Sequence, residues 1–263
     1  DPRGGIRMRD GVDRRNTTAL SADVKGIWAL HTDTGTNQLM VNYGTKVAYS
    51  ATSNFTDLTG ITARTDGSRV YGMTMNNVAY GVSYDKVSFK WDGSSAADLG
   101  TTLNGSAGNF PQAQYVAFWN NFAWAAYTYE SGTGHKYRVR WSNANNPEKW
   151  SATDFVDIDK GEHGDYITGL CAMGDRLLIF KSNSVYAVFG FDSDSFQVVT
   201  LTDSVGSVPL SQPVSTPYGV FFWYADQGVF SYNRENFAWI FDKIAPAIED
   251  GRIVCVESAT GVG

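Results

Sequence analysis

YRVRWSNANNPEKWSATDFVDIDKGEHGDYITGLCAMGDRLL, residues 137–178, passes from one small antiparallel sheet to the next. Val139 and Trp141 alternate with polar neighbours, as a strand with one buried face requires. Asn143 to Pro147 form a polar turn, and Trp150 follows as a large apolar anchor. An acidic loop comes next. Ile167 to Leu170 then read as a new strand running into a Gly174-Asp175 turn. The segment is thus the end of one hairpin set and the start of another.

The same hand-over recurs in worn form along the chain. First strands fall near Ile27, Val70, Val116, Ile167 and Val214, with a further strand near Ile253. They lie roughly 40 to 50 residues apart, the period of propeller blades. After each come further short apolar runs, such as Val78 to Val82 and Val87 to Trp91, joined by Asn76-Asn77, Asp85-Lys86, Asn120-Asn121, Gly174-Asp175 or Asp226-Gln227-Gly228. These dipeptides and tripeptides favour tight hairpins. A loop is expected through Gly132 and Gly134, and only Ile244 to Glu249 suit a short helical turn.

One such sheet cannot bury both its faces, whereas blades stacked around an axis cover one another. A two-sheet sandwich would not need five similar openings at that period. The expected fold is therefore all-β, a β-propeller of at least five antiparallel blades over residues 23–263, preceded by a basic Gly/Arg-rich arm at 1–22. The chain starts without Met and stops soon after the strand near Ile253, so it is expected to be an excerpt of a longer polypeptide.

Composition agrees. Aromatic residues make up 14% of the 263 residues, and the 27 glycines supply many tight turns, a balance that suits strands better than helices. The net charge is −6, and the basic residues concentrate only in the arm, at Arg3, Arg7, Arg9, Arg14 and Arg15. No basic stripe of the kind that holds nucleic acid runs over the blades. The arm is expected to dock on protein. Cys171 and Cys255 sit in apolar strand-like runs and read as buried thiols; a disulfide between them stays open. No apolar run is long enough to span a bilayer.

Chemistry is thinly represented. His31, His135 and His163 are far apart, and no G-x-S-x-G accompanies them. Asp154, Asp157, Asp159, Glu162, His163 and Asp165 offer oxygens that could surround Ca²⁺, but their order is not that of an EF-hand, and Lys160 interrupts them. A solvated inter-blade loop is the plainer expectation, as it is for Asp192 and Asp194. Trp119, Phe122, Trp124, Tyr127 and Tyr129 could stack sugars, yet their spacing suits a core between blades. Phe221, Phe222 and Trp223 read as a strand covered on both faces. Trp141 and Trp150 are both expected to be buried. No catalytic, cofactor-binding or metal-binding residue is assigned, and no cofactor is expected.

The lead-in GGIRMRDGVDRR (4–15), the turn WSNANNPEKW (141–150) and the run ITGLCAMGDRLLIFKSNSVYAV (167–188) resemble β-propeller proteins in the virions of tailed bacteriophages. Ser142, Pro147 and Trp150 match the exit turn of that family, and Ile167, Leu170, Leu177, Phe180 and Tyr186 match its blade pattern. The resemblance is loose but covers most of the chain. It implies a structural, non-enzymatic component of a tail (nozzle, hub, tip or fibre), located in the virion. It further implies contacts with other tail proteins, with copies of itself and with a host surface, and a place on the path of ejected DNA. A receptor- or glycan-binding module, a propeller glycosidase and a cellular scaffold are the alternative expectations.

Overall fold

The computed structural model describes residues 18–52, 54–159 and 165–240. The basic residues of the arm, the Ile244–Glu249 turn, the strand near Ile253 and Cys255 lie outside the described residues. The five sheets within them are four-stranded, antiparallel and ordered as in the sequence.

Blade 1 comprises β1 (Val24–His31), β2 (Asn37–Tyr43), β3 (Lys46–Ser50) and β4 (Thr56–Asp57). Blade 2 comprises β5 (Tyr71–Met75), β6 (Val78–Ser83), β7 (Lys86–Trp91) and β8 (Ala96–Asp98). In blade 3 are β9 (Gln112–Trp119), β10 (Phe122–Glu130), β11 (Thr133–Trp141) and β12 (Phe155–Asp157). Blade 4 follows with β13 (Ile167–Met173), β14 (Arg176–Lys181), β15 (Val185–Phe189) and β16 (Gln197–Thr202). Blade 5 holds β17 (Val214–Thr216), β18 (Gly219–Tyr224), β19 (Gly228–Tyr232) and β20 (Phe237–Trp239). The one helical element among the described residues is a 3₁₀ turn at Ala225–Gln227. The molecule is a β-propeller, with its blade starts where the sequence period places them.

The turns explain the register. Asn76-Asn77 and Asn120-Asn121 take nearly identical backbone angles, φ 52° and 64° in each pair. Two consecutive positive φ values make the hairpin turn whose twist matches the flanking strands, and Asn tolerates them better than most residues. These turns also tie blades together at one end of the molecule. Asp33 N donates to Asn77 Oδ1 at 2.8 Å, Asn76 Nδ2 to Asn145 O at 2.8 Å, and Trp119 Nε1 to Gly174 O at 3.0 Å. The opposite end carries the links from blade to blade.

Apolar clusters join consecutive blades. Trp28, Leu30, Phe89 and Trp91 lie between blades 1 and 2. A larger cluster runs from Tyr71 through Trp124 and Trp150 to Tyr186, across blades 2, 3 and 4. Cys171, Phe180, Phe222 and Phe230 join blades 4 and 5. Among the described residues no such cluster joins blade 5 to blade 1. At Gly72 the Trp28 indole lies directly on the backbone, so a Cβ there would run into the ring. This close approach seats β1 against β5.

Trp150 is fully buried against Phe110, ring centroids 4.8 Å apart, and its Nε1 donates to Pro147 O at 2.8 Å. The anchor and the proline turn are as the sequence suggests. Trp141 is only half-buried, because its ring lies at the edge of the aromatic group of Trp124 and Phe196. Gly134 is inside β11 and not in a loop, since the turn closes at Ser131-Gly132. Phe222 is buried, whereas Phe221 and Trp223 are half-buried, so β18 is well covered on one face only.

Candidate functional site

Glu130, Arg138, Arg140 and Asp157 form a linked charge cluster where β10, β11 and β12 meet. β11 presents Arg138 and Arg140 on one face, two residues apart, and Arg138 is the cross-strand partner of Asp157. Arg138 grips Asp157 with Nε to Oδ1 at 2.8 Å and Nη2 to Oδ2 at 2.9 Å. Its Nη1 donates to Glu130 Oε2 at 3.1 Å. Arg140 grips Glu130 in the same forked way, at 2.6 and 2.7 Å, and caps the carbonyls of Ser151 and Ala152 at 3.2 Å. Phe155 lies under both guanidinium groups, 3.9 and 4.8 Å from the ring centre. The planar fork of arginine suits both the bidentate pairs and the stacking.

Electrostatics fix the role of this group. Burial alone would raise Glu130, but hydrogen bonds from Arg140 and Thr128 and the two positive charges outweigh it and hold the carboxyl at about 2. A carboxylate so held carries no proton near neutral pH and cannot serve as a general acid there. The cavity beside it, about 630 Å³, is lined by Thr101, Gln112, Tyr129, Glu130 and Arg140, of which Gln112, Glu130 and Arg140 already hold partners.

The remaining acidic residues go separate ways. Asp159 accepts from the Tyr186 hydroxyl, whose own proton burial and the Asp159 hydrogen bond hold up to about 12. Asp165 accepts from Asn183 N at 3.1 Å and Ser184 Oγ at 2.6 Å. Asp154 accepts from Thr153 at the surface. Glu162 and His163 lie outside the described residues. Among the described residues no three His, Cys, Asp or Glu side chains converge to hold a metal ion. Asp157 belongs to a strand and Asp165 pins the turn that opens β15, while residues 160–164 lie outside the described residues. Asp192 caps its own turn, accepting from Ser195 N at 2.9 Å. His31 bonds Asn37 in blade 1, and His135 sits on β11 in blade 3, so neither supports the other.

The aromatic series divides. Trp119, Phe122 and Trp124 are buried around Phe196, which blade 4 contributes, with centroids 6.1, 5.1 and 4.9 Å away. Tyr127 is half-buried, and Tyr129 lies at the surface against Tyr84. A pocket where the first strands of blades 1, 3, 4 and 5 meet is lined by Ile27, Val116, Leu170, Cys171 and Val214, with Gln212 and Ser215 beside them. Burial pushes the Cys171 thiol up to about 12, far from a reactive thiolate.

Three structural residues escaped the sequence reading. Arg64 is buried between blades, donating to the carbonyls of Thr62 and Val87, with Phe89 5.3 Å away. Glu148, in the exit turn of blade 3, accepts from Lys90 at 2.8 and 2.9 Å and from Tyr80 at 3.1 Å in blade 2. Lys181 is buried at the end of β14. Each depends on partners many residues away, and no local pattern marks them. At the turn end, Phe191 and Tyr218 stand 88% and 86% exposed after the third strand of blade 4 and the first of blade 5.

No family model and no curated protein matches the chain. Solved structures match in shape. BamB from Moraxella catarrhalis superposes with a TM-score of 0.52 at 10% identity, covering 84% of this chain and 61% of that one. BBS1N, solved in complex with ARL6DN, gives 0.48 at 10% identity, covering 83% and 66%. The chain thus spans somewhat under two thirds of these structures. Neither is a phage tail protein, and at such identity the likeness is one of fold: the chain is built as a β-propeller.

Proposed function

We propose that the chain is a rigid, non-catalytic interaction module, a propeller that assembles into a phage tail as its sequence resemblance implies. One observation carries the reading: the buried charges are spent on ties within and between blades, while the prominent exposed aromatics sit on pre-organised turns. Glu130, Arg138, Arg140 and Asp157 satisfy one another, and Lys90 and Glu148 bridge two blades. Phe191 is held at its backbone. Its N–H donates to Ser195 Oγ at 2.9 Å, and its carbonyl accepts from Asn120 Nδ2 at 3.1 Å. A rigid exposed ring loses little entropy on docking, which is what makes an aromatic side chain an effective anchor. Among the described residues no helix is long and apolar enough to cross a membrane.

Purified tails of the source phage, imaged by electron microscopy, test the assignment. The expected result is density for this propeller in a repeated, ring-like or axial position, with Phe191 and Tyr218 in an interface. Tails that lack the chain would exclude the virion role. An interface on another face would exclude the anchors.

A further inference from the structure

The apolar pocket between the first strands has a volume of about 350 Å³ and opens toward the turn end. Val116, Leu170 and Val214 form its wall, and Phe118, two residues before the Asn120-Asn121 turn, is 41% exposed at its rim. Apolar surface left in water gains free energy when a partner covers it. The turns around the pocket carry carboxylates. Asp33 is in the β1–β2 turn, Asp192 and Asp194 are in the β15–β16 turn, and Glu235 is in the β19–β20 turn, all exposed. Among the described residues none of these four has an ion-pair partner, while Arg176 and Arg234, the arginines at this end, both face Asp175.

A segment of matching chemistry is tethered at the same end. Thr18 N donates to Asn54 Oδ1 at 3.3 Å, and Asn54 lies in the β3–β4 turn, so residues 1–17 are attached at the turn end. They include Arg3, Arg7, Arg9, Arg14 and Arg15, with Ile6 and Met8 alternating against arginine. A chain of that length reaches up to about 55 Å, and a domain of this size has a radius of gyration of only about 18 Å. The pocket is therefore within reach from blade 1. Tethering raises the effective concentration into the millimolar range, so weak contacts suffice. We propose that the basic segment 1–17 docks on the turn end of its own propeller, with Ile6 and Met8 over the pocket and the arginines on the surrounding carboxylates. Opposite charge brings the segment to this face, and the apolar contact fixes where on it the segment sits. Phe191 and Tyr218 stand on the same face, so a partner must bind beside the segment or displace it. The inference does not need the tail assignment: it is read on the separate chain, whereas the tail role is read on particles.

The test is the amide spectrum of the isotope-labelled full chain at about 10 mM salt, where charges act over about 30 Å. It is compared with the full chain carrying Arg7→Gln, Arg9→Gln, Arg14→Gln and Arg15→Gln together. The expected result is a difference at the amides of Phe118, Ala172, Asp194 and Ser215, with a docked-to-free ratio about tenfold or more higher in the parent, as the loss of several exposed pairs implies. Raising the salt to about 1 M, where charges act over about 3 Å, should bring the parent to the variant's spectrum. Asp192→Asn with Asp194→Asn, a change at the surface, should weaken docking in the same direction and keeps the test valid if the arginine variant fails to fold. Ile6→Ser with Met8→Ser should move the Phe118 and Ser215 amides to their undocked positions at low salt. Turn-end amides that are the same in the parent and in all three variants overturn the proposal, and so do differences confined to the opposite end. Differences that grow as the chain concentration rises also overturn it, because the segment then docks on another copy. An Ile6/Met8 variant that keeps the parent's Phe118 and Ser215 amides overturns the seat over the pocket.

Discussion

The third and fifth blades are the same four-stranded meander, finished differently. The first three strands of blade 3 have eight, nine and nine residues, and those of blade 5 have three, six and five. In β10 the five residues Phe122 to Ala126 are all buried. In β18 the equally apolar Phe221-Phe222-Trp223 buries only its middle residue fully. Among the described residues blade 3 shares its core with blades 2 and 4, whereas blade 5 shares one with blade 4. Apolar composition gives a strand the capacity to be covered on both faces; a neighbour on each side is what covers it.

The largest expected effect is in blade 3. Trp150→Ala removes a fully buried indole packed on Phe110 and its hydrogen bond to Pro147, and should cost about 3–5 kcal/mol. Urea unfolding monitored by circular dichroism reads this as a lower midpoint. A variant that unfolds with the parent would remove Trp150 from its role as anchor and undo the contrast between blades.

Glu130→Gln comes next. It leaves two arginines short of their shared carboxylate, and loss of one partner of a buried pair costs up to about 3–5 kcal/mol. The sign with pH follows from the depressed carboxyl. Its contribution is fully present above the ordinary value of 4.5 and is lost as pH falls toward about 2. The parent should therefore lose stability over that window faster than the variant. Parallel acid profiles for the two would show that the network contributes nothing to the blade.

The blade period, the Asn-Asn turns and the Trp150 anchor were legible because each is local: a repeat, a dipeptide with special backbone angles, a tryptophan after a proline turn. β12 was hidden because Phe155 to Asp157 is short and lies among acidic residues, and becomes a strand only when Arg138 lies opposite. Arg64 and Lys181 carry no local mark in the sequence. Their burial depends on blade neighbours that no local window contains. Phe221 and Trp223 are half-buried where full coverage was expected, since composition does not state how far each face of a strand is covered.

Gly72→Ala sharpens the comparison at another junction. The added methyl must displace the Trp28 indole that seats blade 1 on blade 2. Overpacking of this kind costs about 1–3 kcal/mol. Thermal melting should show the loss, and Gly67→Ala is not a fair control because Gly67 has positive φ. The double variant with Trp28→Ala is better: removing the ring should recover part of the glycine effect. Strict additivity of the two changes would mean that the ring and the glycine do not meet.

The smallest effect is expected at Trp239 in blade 5. Its ring is 51% exposed, and its Nε1 donates to Gln227 O at 2.6 Å at the molecular surface. Trp239→Ala in the separate chain gives up one hydrogen bond and some half-covered surface, so a change near 1 kcal/mol is expected. That is well below the Trp150 effect, although both substitutions delete the same side chain. Under the assembly proposed above, the comparison becomes most informative. A neighbour laid against blade 5 would bury the ring and turn a small loss into one closer to that of a core tryptophan. Unfolding of the separate chain and sedimentation of its assembled form, measured for the same variant, read the two situations. If Trp239→Ala costs the separate chain as much as Trp150→Ala, blade 5 is already as well covered as blade 3, and the difference between them is one of strand length alone.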